Sequence, residues 1–185
     1  MNANKTGTDI FIAGEYLAPI VTIILLTALY CKKKIKKAYI LFWIGFLIAS
    51  IWEWAHWAIQ NPKFITVDPY IEKYIPGSVY NVLHSLHDAM LFVIGYFLCY
   101  LVFKKRAFRG CNIIFSFLIQ FVFFVGIEIV VEILFNGRVW TYTTDGRNPA
   151  IIRFNATGRE HIVNLWPVLE WVFASFVFTV FEICI

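Results

Sequence analysis

Long apolar stretches separated by short polar ones dominate this chain. Five of them hold about twenty residues each with few charges: 12–31, 39–60, 82–103, 112–135 and 164–184. A helix needs roughly 20 predominantly apolar residues to cross a hydrocarbon core. The pattern therefore predicts five membrane-spanning helices in a single transmembrane domain over residues 1–185. The first follows a polar start, MNANKTGTD, with no basic n-region and no small-residue cleavage site, so a removed signal peptide is not expected.

The polar breaks set the expected orientation. KKKIKK (32–37) lies between spans one and two, and KKRAFR (104–109) between spans three and four. Both breaks fall on one side, and basic loops mark the cytoplasmic side. The amino terminus is then outside or lumenal, as are the loops 61–81 and 136–163, and the carboxyl terminus is cytoplasmic. The expected class is an all-α integral membrane protein: a separate first helix, then two hairpins with long outer loops. Both hairpins start on the cytoplasmic side, so any repeat is parallel. Ile44-Gly45 against Val125-Gly126 is its best correspondence. Proline and Asn-Gly, Asp-Gly and Asn-Pro turns interrupt the outer loops, which are long enough to serve as lids.

Composition agrees. The chain is 60% hydrophobic and only 15% charged, against about a quarter charged in soluble domains. The net charge of +4 reads as topology, because no basic face interleaved with polar residues is present to follow a phosphate backbone. Expected partners are the bilayer and a lipid substrate or ligand, with a homodimer left open and no nucleic acid. The location is multi-pass, in the endoplasmic reticulum of a eukaryote or the plasma membrane of a bacterium. Two sequons, Asn4-Lys5-Thr6 and Asn155-Ala156-Thr157, fall on the outer side. Cys31, Cys99, Cys111 and Cys184 fall in spans or at their cytoplasmic ends, so no lumenal disulfide framework is expected.

Ionisable residues inside spans cost on the order of 2.5–3.5 kcal/mol each on insertion scales, so they usually face a bundle interior. Here their depths agree. Glu53 and His56 lie in the outer third of span two, and His84, His87 and Asp88 at the start of span three. Glu128 and Glu132 lie at the end of span four, and Glu170 two turns into span five. Spacings of i, i+3 and i, i+4 put each set on one helix face. Facing inward, the eight would form one polar pocket opening outward; otherwise they are buried pairs that orient the bundle. Glu182, at the cytoplasmic end of span five, is expected to be wetted, and Glu15, near the outer end of span one, to be interfacial. His161, with Arg159 and Glu160, is expected either in an exposed loop cluster or over the pocket.

Three chemistries suit such a pocket. A carboxylic acid in low dielectric resists ionising and can protonate an alkene, after which carboxylates and aromatic faces stabilise the cation. Trp52, Trp54, Trp57, Trp166 and Trp171 stand near the acids in sequence, although an interfacial belt accounts for most tryptophans in such places. In this reading Glu53, His56, Asp88 and Glu170, then His87, Glu128 and Glu132, carry acid–base catalysis without a cofactor. Trp57, Trp166 and Trp171 then contact the substrate. Alternatively, Glu53-x-x-His56 has the spacing of di-iron carboxylate ligand pairs, and His84-x-x-His87 with Glu128, Glu132 and Glu170 could complete an iron or zinc site. A third option is a receptor for sterols or amines, without catalysis.

The five-span plan resembles the EXPERA family of emopamil-binding and sterol isomerase-like membrane proteins. The resemblance would cover residues 38–185. It implies acid–base residues on the second and third helices, at Glu53, His56 and Asp88 or His84, and a supporting tryptophan at Trp166 or Trp171. That isomerase has His before Glu on its second helix; this chain has Glu53 before His56. Trp140-Thr141-Tyr142 followed by LWPVLEW (165–171) is similar to a helix start in membrane lycopene cyclases, with Glu170 in place of paired glutamates. Both resemblances imply protonation chemistry on isoprenoids.

Overall fold

A computed structural model describes residues 5–32, 35–59, 63–156 and 158–185. Asn4, Lys33, Lys34, Pro62 and Thr157, used above for sequons, charge and turns, lie outside the described residues. The long helices are α1 (Lys5–Cys31), α2 (Lys36–Ala58), α4 (Gly77–Phe103), α5 (Asn112–Phe135) and α6 (Leu165–Cys184), and a short α3 (Pro69–Tyr74) precedes α4. All five long helices are long and apolar enough to cross a membrane, as expected of an integral membrane protein.

Helix α2 packs chiefly on α4, and α5 on α6; α4–α5 and α2–α6 contacts close the bundle, while α1 leans on α4. At its centre Phe92, Phe124, Trp171 and Phe178 are buried against Trp52 and Ile48. Lipid tails are as apolar as leucine, so close approach, rather than escape from water, holds such a bundle together. Two glycines permit that approach. A Cβ at Gly45 would lie 2.6 Å from Phe92, and one at Gly95 would lie 2.7 Å from Phe124. Gly126 has nothing within 4 Å. Gly95→Leu is therefore expected to destabilise by about 1–3 kcal/mol through overpacking. Gly126→Leu should stay near neutral, and thermal unfolding in detergent compares the two.

The hydroxyls of Ser50, Ser85, Ser175 and Thr179 each donate to the carbonyl four residues back, which satisfies them inside apolar helices. At the end of the bundle near Lys37, Glu182 is not wetted: it is 1% exposed. Gln120 donates to its carboxylate at 2.7 Å and shares the Thr179 hydroxyl hydrogen with the Ser175 carbonyl, while the Lys37 ammonium donates to the Glu182 carbonyl. The end of α6 lies against α5 and the first turn of α2, so side chains there take the place of water.

The expectation of an all-α chain is corrected at the opposite end. Strands β1 (Ile65–Val67) and β2 (Trp140–Tyr142) pair antiparallel, and so do β3 (Ala150–Ala156) and β4 (Arg159–Asn164). Ile65-Thr66-Val67 and Trp140-Thr141-Tyr142 are β-branched and aromatic runs suited to a pleated surface. Their pairing joins the α2–α4 and α5–α6 connections at one end of the bundle. Asp68 caps α3 by accepting from the Tyr70 N–H at 2.8 Å, with Pro69 at the first helical position.

An asparagine network locks this end. Asn136, the C-cap of α5, donates through its amide to Glu132 Oε2 (2.9 Å), the Ile162 carbonyl (3.1 Å) and Asn164 Oδ1 (3.0 Å). Asn164 donates onward to the Asn148 carbonyl and the Thr144 hydroxyl, and Asn148 Oδ1 receives the Trp166 N–H that begins α6.

Candidate functional site

Residues from α1, α2, α4, α5, α6 and β2 surround a cavity of about 260 Å³ just inside the strand-bearing end. Seven of the eight ionisable residues singled out above line it: Glu53, His56, His84, His87, Asp88, Glu128 and Glu170. Helical spacing explains the convergence, because each set lies on the face its helix turns to the others. Apolar side chains complete its lining, among them Met90, Ile94, Ile127 and Val131 from α4 and α5. Ile94 is 43% exposed on the surface of the bundle.

Within the cavity the groups pair. His56 Nε2 lies 2.7 Å from Glu170 Oε1; this is ion-pair distance, although the ring N–H is not aligned on the oxygen. The His56 ring stacks on Phe64 (4.7 Å between centroids) and meets Tyr142 edge-on. Glu53 Oε1 lies 3.7 Å from His84 Nδ1. The His84 ring stacks on Tyr80 and meets Trp140 edge-on. Trp52 donates its indole N–H to Asp88 Oδ2 at 3.1 Å. Tyr142, half-buried beside His56 and outside the spans, keeps its phenol well above the ordinary range. Burial is the first cause, and the neighbouring Glu132 and Glu128 carboxylates add to it.

Three expectations change. Glu15 is not interfacial: it is 4% exposed, with Oε1 4.0 Å from both His84 Nε2 and His87 Nδ1. Pro19 has no N–H to give the Glu15 carbonyl. The first helix therefore supplies a wall of the cavity. Glu132 is buried in the asparagine network, accepting from Asn136 and from the Trp140 indole at 3.3 Å, and does not line the cavity. His161 neither covers the cavity nor stands exposed. It is buried under Phe154, with Nδ1 2.9 Å from the Ile133 carbonyl, while the adjacent Glu160 pairs with Arg153 at the surface.

The tryptophans divide similarly. Trp171 is buried in the aromatic core and lines the cavity. Trp166 is about half-exposed, lines neither cavity described here, and keeps its indole within reach of Glu170. Trp57 lies on the wall of a second, larger cavity of about 480 Å³ beneath the strand-bearing end. Glu53 and His56 line both cavities and so stand between them. Among the described residues no three His, Cys, Asp or Glu side chains converge as they would around one ion. Cys31, Cys99, Cys111 and Cys184 are free thiols. Compared with protein-family models, curated proteins and solved structures, the chain matches none.

Proposed function

We propose that this chain is a membrane-embedded isomerase or cyclase that acts on a sterol-like or isoprenoid lipid by proton transfer. In this reading its amino terminus is outside or lumenal, its carboxyl terminus is cytoplasmic, and the pocket lies in the outer third of the bilayer. The observation that carries the reading is the His56–Glu170 contact of 2.7 Å in a cavity lined by both ionisable and apolar side chains. A histidine held by a carboxylate is a general base, and Asp88 and Glu128 supply carboxylic acids across the same space. One acid gives its proton to an alkene carbon, and the Trp171 ring faces the cation that forms. His56 then takes a proton from the neighbouring carbon, so the double bond moves while the site gains and loses one proton.

Incubation of nanodisc-embedded protein with sterol and isoprenoid alkenes in D₂O tests this directly. A shifted double bond with deuterium at the newly protonated carbon is expected. Unchanged lipids with tight saturable binding would make the protein a receptor. Iron or zinc near stoichiometry, lost on His84→Ala or His87→Ala, would replace proton transfer with a metal-dependent reaction.

A further inference from the structure

Two donors on the wall of the larger cavity have no partner among the described residues. The cavity is enclosed by the end of α2, β1, α3 and the start of α4, and its volume is in the range of roughly 300–1,000 Å³ usual for ligand sites. Tyr80 and Asn81 on its wall are 2% and 4% exposed, yet the Tyr80 hydroxyl and the Asn81 amide nitrogen reach no partner among the described residues. Buried polar groups are normally satisfied, so each orphan marks a place where something else bonds. Lys63 stands at the exposed rim as a third donor, and Glu72 at the rim and Glu53 inside supply acceptors. The Trp57 ring completes the wall, its indole held so near Gly77 that a Cβ there would lie 2.9 Å from Nε1.

This mixture selects a ligand class. A phosphate only accepts and would face Glu53 and Glu72. An ammonium only donates and would meet Lys63 and the Asn81 amide. A hydroxyl both donates and accepts, and a ring of hydroxylated carbons also offers a C–H face to Trp57. The cavity is too large for one hydroxyl alone. It adjoins the smaller, partly apolar cavity across Glu53 and His56.

We propose that this vestibule binds a polyhydroxylated, sugar- or polyol-type head group, whose attached apolar chain enters the cavity beyond Glu53 and His56. The chain's position rests on the lipid reading above; the head-group site rests on the vestibule alone. A free sugar or polyol offers the same hydroxyls as a glycolipid head, and the experiment separates them.

Nanodisc-embedded protein is titrated with methyl hexoside, with myo-inositol, and with a monohexosyl diacylglycerol, against phosphatidylcholine alone. Tryptophan fluorescence is the readout, and Trp57→Phe identifies the responding ring. A saturable Trp57 signal at least tenfold tighter for the glycolipid than for the free compounds is expected. Asn81→Leu, and the rim variants Lys63→Met and Glu72→Ala, should each weaken it severalfold; the rim pair is too exposed to disturb the bundle. No saturable signal, or rim and Asn81 variants that bind as wild type, overturns the site. Free sugar binding as tightly as glycolipid overturns the attached chain. Conversion assays on the same preparations distinguish the two readings: head-group binding without lipid conversion supports this site and sinks the proton-transfer reading. Conversion indifferent to head group, with no binding signal, sinks this site alone.

Discussion

Glu170→Gln is expected to lower lipid turnover by about 10²–10⁴-fold, the usual contribution of a general acid–base group. The amide keeps the volume of the carboxylate but cannot hold the His56 ring by charge, and a neutral partner makes the imidazole a weaker base. The fold should survive, because Phe64 stacks on the His56 ring and Tyr142 abuts its edge independently of Glu170. His56→Ala should cost a similar factor, and the double variant little more than either single one, since the two act as one unit. Turnover in nanodiscs, read beside thermal unfolding of each variant, checks this. Wild-type turnover in Glu170→Gln would take the pair out of the chemistry.

The largest loss of stability is expected at a residue outside either cavity. Asn136→Ala removes one amide that serves three acceptors: Glu132, the Ile162 carbonyl and Asn164. Each buried group left without a partner costs about 1–3 kcal/mol, so losing the two N–H donors of this amide should cost at least about 2 kcal/mol. Glu132→Gln, which keeps one acceptor oxygen for Asn136 or Trp140 but not for both, should cost less. Proteolysis between residues 136 and 164 and thermal unfolding would separate the two variants. Equal stability would mean that the strands are held by pairing alone.

These expectations also mark where sequence reading succeeds. Hydropathy places all five long helices, and α5 takes the bounds 112–135 read from the chain. Two periods combine at the cavity: helical spacing aligns residues on each helix, and alternating span direction levels them across helices. Seven of the eight side chains consequently line one cavity. Local pattern could not place Glu15, because only the lean of α1 against α4 brings it to His84 and His87. The same holds for Glu182, which looks wetted at a helix end until Gln120 and Lys37 are seen to close over it. The strands of three residues carry too short an alternation to stand out in loops full of turn signals. Asn136-Gly137 does read as a turn, yet its amide bonds residues 26 and 28 positions away. No local signal reports partners at that distance.

The place of Glu15 has a consequence for biogenesis. Helix α1 leaves the ribosome before α4, and His84 follows Glu15 by 69 residues (84 − 15). At roughly 5–20 residues per second, on the order of 3–14 s pass before that partner exists. Throughout that interval the nascent first helix carries an acid into the bilayer with neither histidine yet made. The contact between α1 and α4 therefore forms only after α4 has been made, so the first helix docks on a schedule set by the synthesis of α4.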